Sequence, residues 1–184
     1  MPSALVLLAP GFEEIEAVTI IDLLRRADIE LTTAALDKEL VKGSHDILIK
    51  ADTLLDSVDT DIFDLLILPG GQPGSTYLRN HPAVLKCVRD RFSSRKLVAA
   101  ICAAPTVFEA AGITDGLKIT SYPSEAGAFA NGKYIEQNVV KDDVVITSRG
   151  VGTAIDFSLK LIAELKGKSK AREVADRILY TWAG

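Results

Sequence analysis

The sequence predicts a doubly wound α/β domain, and three observations carry that prediction. Apolar runs at 4–9, 65–68 and 97–101 contain no polar residue at all, as strands buried on both faces of a parallel sheet require. The first and last runs lead, after a short turn of small residues or Pro-Gly, into helix-compatible segments, whereas alternating strands of an antiparallel sheet would need only hairpins. The chain also opens strand–helix–strand with short connections, which favours a right-handed crossover and parallel pairing. At 184 residues the whole chain, 1–184, fits one domain.

Taken in order, Ala4 to Ala9 reads as the first buried strand, ended by Pro10-Gly11. Glu13 to Ala27 follows as a helix, with Ala17, Ile20, Ile21, Leu24 and Ala27 at helical spacing. Leu31 to Leu36 is the second strand. In 41–49, Gly43-Ser44 separates two short β-like pieces, the pattern of a hairpin. The acidic stretch Asp52 to Asp61 reads as a loop. Leu65 to Leu68 is a strand stopped by Pro69-Gly70-Gly71, and His81 to Arg91 a helix. Leu97 to Ile101 is a strand that halts at Cys102, and Thr106 to Ala111 continues as a helix that Gly112 caps. Residues 116–143 are irregular. Val144 to Thr147 is a further strand, and Arg149 to Thr153 turns into a helix that Gly167 ends. A last helix, about Ser169 to Thr181, carries Val174, Ile178, Leu179 and Trp182 on one side. The class is flavodoxin-like, a mostly parallel sheet between helices.

Composition excludes several functions. Hydrophobic residues make up 48% and the formal net charge is -4, so there is no basic footprint for nucleic acid. The basic residues at 166–172 have acidic residues on both sides and read as a solvated helix junction. No run approaches the roughly 18 apolar residues of a membrane span. Cys87 and Cys102 are the two cysteines; they suggest a reducing, cytoplasmic setting, and no group of Cys, His, Asp and Glu has zinc-ligand spacing. No cofactor fingerprint is matched.

Ligands of open parallel sheets bind beyond the carboxyl ends of the strands. Three turns lie there: 10–16, 69–74 and 101–105. Cys102 stands between a strand and a helix, the geometry of a nucleophile elbow with cysteine in place of serine. The helix N-terminus then predicts a lowered thiol pKa. The competing reading is a small residue that fills the strand end. The glycine loop at 69–74 is either a plain turn or one side of an oxyanion hole that pairs the Gly71 and Ala103 N–H groups. Glu13 and Glu14 complement the helix dipole. Glu16 borders the buried stripe, so burial predicts a raised pKa and a carboxyl that exchanges a proton with sulfur. His45 and His81 read as surface residues, and Cys87 as a structural thiol.

Ala9-Pro10-Gly11 with Glu13-Glu14-Ile15-Glu16, Asp22 to Ala27, Leu68-Pro69-Gly70-Gly71, Ala99 to Pro105, and Thr147-Ser148-Arg149-Gly150 with Gly152-Thr153 together carry a resemblance. In these motifs the chain resembles the ThiJ/PfpI superfamily, in its parkinsonism-associated protein deglycase branch with the bacterial relatives. The resemblance implies a homodimer, a reactive and oxidation-prone Cys102, a Glu16 that touches its sulfur, and backbone donors at Gly71 and Ala103. It also places Arg26 near the pocket. A histidine common in relatives is Tyr122 here, which argues against a Cys–His peptidase and leaves a hydroxyl to bind a substrate oxygen. Val151 replaces a proline and suggests a looser turn; Gly43 replaces a second cysteine. The function implied is a cofactor-free glyoxalase or deglycase. Its partners would be small aldehydes (methylglyoxal, glyoxal) or their early adducts on proteins or nucleotides. The alternative is a redox sensor or chaperone that works through oxidation of Cys102 to the sulfinic acid.

Overall fold

Strands that are apolar at every position must find a core on each side, and the sheet provides two. The computed structural model describes residues 1–184. Its first half runs β1 (Ser3–Leu8), α1 (Glu14–Arg26), β2 (Glu30–Ala35), β3 (Leu40–Lys42), β4 (Leu48–Lys50), β5 (Thr53–Leu54), β6 (Leu65–Leu68), α2 (Gly74–Asn80) and α3 (Pro82–Ser93). It continues with β7 (Leu97–Ile101), α4 (Pro105–Ala110), β8 (Lys118–Ile119), β9 (Lys133–Tyr134), β10 (Val139–Asp142), β11 (Val145–Ser148), α5 (Ala154–Lys166) and α6 (Lys168–Arg177). Seven strands form one sheet in the order β10-β11-β7-β6-β1-β2-β5. Every pairing in it is parallel except β10 with β11.

The alternation of β1 sorts the two cores. Ala4, Val6 and Leu8 pack with α1, α5 and α6 through Ile20, Leu24, Phe157, Leu161 and Val174. Leu5, Leu7 and Ala9 face the other way, with Leu78, Val84, Val88, Val107 and Phe108 of α2, α3 and α4. The mostly parallel sheet between two helical layers is the architecture expected from the apolar runs. On α1 the buried stripe includes Leu23 in addition to Ala17, Ile20 and Leu24, while Ile21 is only half-buried.

Some expectations change. The stretch at 52–61 is not merely a loop: Thr53 and Leu54 add a parallel edge strand to Ala34 and Ala35, and two single helical turns follow at Leu55–Ser57 and Thr60–Ile62. A short helix, α2, precedes α3 where the sequence showed only a glycine loop. The last helix stops at Arg177, and Leu179, expected on its apolar side, is 95% exposed with φ 58°. The hairpin is present, with β3 antiparallel to β4 through Val41 and Ile49. No helix is long and apolar enough to cross a membrane.

Candidate active site

The turns after β1, β6 and β7 meet at one edge of the sheet, because their strands are neighbours in it. Cys102 occupies the turn after β7 with φ 64°, a left-handed conformation unusual for a non-glycine residue and typical of a nucleophile elbow. Backbone bonds hold it there. The Cys102 N–H donates to the Ser148 carbonyl at 3.0 Å, and the Cys102 carbonyl accepts from the Tyr122 N–H at 2.8 Å. The side chain is half-buried.

Glu16 comes from the first turns of α1 and is fully buried. Its Oε2 accepts the Gly70 N–H at 2.9 Å. Its Oε1 is buried without a hydrogen-bond partner of ordinary geometry, yet carboxyl and thiol stand close enough to change each other's proton affinity. Burial pushes Glu16 up to about 7, against the opposing pull of the Gly70 N–H and the Cys102 thiol. The raised carboxyl anticipated from the apolar stripe is therefore present.

Cys102 shifts the opposite way from the sequence expectation. Burial pushes the thiol up, to about 12, and the charge of Glu16 adds to the rise. The Ala103 and Gly71 N–H groups lower it by smaller amounts. The following helix is only Pro105–Ala110, and its dipole does not offset a low-dielectric site with a carboxylate beside the sulfur. Near neutral pH the thiol therefore keeps its proton, and the carboxyl is the group of the pair that loses one as pH rises through about 7.

Gly70 is glycine for lack of space. A Cβ there would lie 2.5 Å from the Cys102 Cβ, 2.6 Å from Glu16 Oε2 and 2.8 Å from the Ile101 carbonyl oxygen. Two of these three atoms belong to the elbow and cannot swing away. Gly70→Ala is therefore expected to destabilise the protein by about 2–3 kcal/mol through overpacking, a Tm fall of roughly 4–12 °C. Thermal denaturation checks this, and a Tm equal to wild type would contradict the packing. Gly71 has φ 94°, and a Cβ on it would meet the Glu13 nitrogen at 2.3 Å.

An open pocket of about 680 Å³ lies over the sulfur, lined among others by Glu13, Cys102, Tyr122, Asn138, Arg149 and Thr153. Tyr122 is 50% exposed, and its ring reaches within 3.5 Å of where a Gly150 Cβ would stand. The turn at 150–153 is tight in spite of Val151. Thr153 Oγ1 accepts the Arg149 and Gly150 N–H groups at 3.2 and 3.1 Å, and the Thr153 N–H donates to the Gly150 carbonyl at 2.9 Å. The threonine supplies the restraint that the missing proline would have given.

The structure brings together Cys102, Glu16, Gly71, Ala103 and Tyr122. It does not bring Arg26. That residue lies in the last turn of α1, ten positions from Glu16 or about 15 Å along the axis, and pairs with Asp22 at 2.6 Å on the surface. The cation in the pocket is Arg149, which sequence reasoning treated only as part of a turn.

Glu14 also departs from its expected role. It is 3% exposed and pins the hairpin loop: its carboxylate accepts the His45 N–H at 2.6 Å and the Ser44 hydroxyl at 3.1 Å. Burial opposes ionisation, but these bonds, with that of its own N–H and the His45 ring, hold it down at about 2. The same carboxyl explains Gly43, whose Cβ would fall 2.3 Å from Glu14 Oε1. Glu13, Glu14 and His45 form the one group with potential metal-ligand atoms, all within 4.8 Å. The fold assembles it from two separate segments, so spacing in the sequence could not show it. His45 is exposed there, and its hydrogen bond to Glu14 raises its pKa.

Residues 2–164 match the profile of the DJ-1/PfpI family. The chain is 46% identical to Protein dj-1beta of Drosophila melanogaster over 183 residues, 98% of each chain. The crystal structure of that Drosophila DJ-1beta superposes with a TM-score of 0.95, covering 98% of this chain and 99% of the other. An oxidised Toxoplasma gondii DJ-1 structure is 37% identical with a TM-score of 0.95, over 99% and 100% of the two chains. A Caenorhabditis elegans protein named glutathione-independent glyoxalase DJR-1.2 is 37% identical over 175 residues, 94% of this chain and 93% of that one.

Proposed function

The chain belongs to the DJ-1/PfpI family, and from that premise we propose that it is a glutathione-independent glyoxalase or deglycase. Its substrates are α-oxoaldehydes such as methylglyoxal and glyoxal, or their early adducts on proteins or nucleotides, and its products are hydroxy acids. The observation that carries this reading is the pairing of Cys102 with a buried Glu16 raised to about 7, because a general acid–base works best with a pKa near the operating pH. A glyoxalase among the relatives supports it.

The chemistry balances without an outside oxidant. The thiol proton passes to the Glu16 carboxylate while sulfur bonds to the aldehyde carbon. The carbonyl electron pair moves onto oxygen, within reach of the Gly71 and Ala103 N–H groups, and that oxygen takes the proton back from Glu16 to give a hemithioacetal. Glu16 next removes the hydrogen of the former aldehyde carbon, and the electron pair moves onto the neighbouring ketone oxygen to give an enediolate. The hydroxyl proton on the sulfur-bearing carbon passes to that oxygen, and Glu16 returns its proton to the former ketone carbon as the carbonyl on the sulfur-bearing carbon reforms, which leaves a thioester. One carbon has been oxidised and its neighbour reduced by the same two electrons. Water then cleaves the thioester, its hydroxyl going to the acyl carbon and its proton to sulfur. Methylglyoxal and water become lactate.

The test is lactate formation from methylglyoxal by purified protein in the absence of glutathione. Lactate appearing in step with aldehyde loss is the expected result. Aldehyde loss no faster than in buffer, with no lactate, overturns the proposal.

A further inference from the structure

The pocket over Cys102 is far larger than methylglyoxal needs. Its volume is about 680 Å³, whereas five heavy atoms fill on the order of 100 Å³, scaled from about 30 Å³ for one liquid water. The excess space has a charged feature. Arg149 lines it and is half-buried. Its backbone N–H is bound to Thr153 Oγ1 at 3.2 Å, but its guanidinium makes no ion pair and donates no hydrogen bond.

Of the other arginines, Arg25, Arg26, Arg95 and Arg177 pair with Asp52, Asp22, Asp143 and Glu173; Arg79 and Arg89 have no partner either, but neither lines this pocket. The buried Arg91 donates to the carbonyls of Thr60, Phe63 and Leu97. Glu13, the acid that also lines the pocket, stands toward the hairpin loop, its Oε2 3.3 Å from Ser44 Oγ and 3.7 Å from His45 Nδ1, and makes no ion pair with Arg149. An unpaired, half-buried arginine in the lining of the pocket that also holds Cys102 offers a planar fork of donors that matches carboxylate or phosphate oxygens two at a time.

We propose that the preferred substrate of this site carries an anionic group, carboxylate or phosphate, which Arg149 holds while Cys102 reacts with a carbonyl-derived carbon of the same molecule. This inference rests on the glyoxalase or deglycase reading and narrows its substrate class to anionic adducts. Free methylglyoxal then uses only the sulfur end of the pocket. Arg149 would choose between substrates rather than carry out bond-making.

The test compares matched pairs that differ in one charge. Early methylglyoxal adducts of guanosine 5′-monophosphate and of guanosine differ by a phosphate. Those of Nα-acetylarginine and of its amide differ by a carboxylate. Adduct loss is followed by chromatography. In the wild type, kcat/KM is expected to be about tenfold higher for the anionic member of at least one pair, a preference that weakens with added salt. The pair that shows it identifies the source of the anion. Arg149→Gln should bring the ratio near one, and Arg149→Lys should keep part of it; thermal melting confirms that both variants fold. Equal rates within both wild-type pairs, or a preference that survives in Arg149→Gln, overturns the inference. Methylglyoxal is assayed in the same preparations. Lactate formation without anion preference defeats this inference alone, whereas no turnover of any substrate defeats the reading beneath it.

Discussion

Cys102→Ser is expected to end lactate formation, with kcat/KM falling on the order of 10³ or more, the scale on which losing a nucleophile exceeds what donors and binding retain. The substitution is small and leaves the site standing. The left-handed φ of 64° is held by backbone bonds to Ser148 and Tyr122 at 3.0 and 2.8 Å, none of which involves sulfur. The Gly71 and Ala103 amides also remain. What changes is acidity. The Cys102 thiol, though burial pushes it up to about 12, is still far more acidic than a serine hydroxyl would be in the same surroundings, and it has the Glu16 carboxyl at about 7 beside it to take its proton. The serine would accept hydrogen bonds but not attack. Lactate measured with coupled dehydrogenases, beside a thermal melt of both proteins, decides the point. A folded Cys102→Ser that forms lactate at the wild-type rate would remove Cys102 from the reaction.

The sheet was legible because burial on two faces leaves a mark that one residue cannot blur. In β6, in β7 and in β1 after Ser3 every position is apolar, and the structure sends alternate side chains into opposite cores. Elements that depend on tertiary contacts left no such mark. α2 begins Gly74-Ser75-Thr76, all weak helix formers, and β5 is two residues long. The site divides along the same line. Cys102, Glu16, Gly71 and Ala103 stand on turns fixed by strands or on the stripe of a helix, so position alone implied proximity. Asn138 and Arg149 enter the pocket from the edge of β10 and the turn after β11, whose placement depends on how residues 116–143 cross the surface. Arg26 stands apart from Glu16 within this chain because a helix carries a residue about 15 Å away in ten positions, however near the motif that contains it. The direction of the thiol shift was hidden for a related reason. A local motif reveals the amides and the helix start, which lower a thiol pKa, but not the burial and the facing carboxylate, which here outweigh them.

Glu16→Gln separates the chemical role of the pair from its structural cost. Glutamine keeps the shape and can still accept the Gly70 N–H that Oε2 now accepts at 2.9 Å, but it neither charges nor moves a proton. Turnover should fall by about 10²–10⁴, the usual contribution of a general acid–base. In the wild type, kcat/KM should rise as pH passes through about 7, and that rise should vanish in the variant. Stability should move in the other direction. The unfolded carboxyl ionises at its ordinary 4.5 and the folded one at about 7, so between these values the folded state binds more protons. Its stability is then fullest below pH 4.5 and declines as pH climbs to about 7, by about 3 kcal/mol at 1.36 kcal/mol per unit. Glutamine has no such decline, so the stability of Glu16→Gln relative to wild type should improve across that window. Urea denaturation at pH 4.5, 6 and 8 reads it directly. Parallel pH profiles for the two proteins would mean that Glu16 titrates normally, and a rise of turnover through about pH 7 would then have to come from another group.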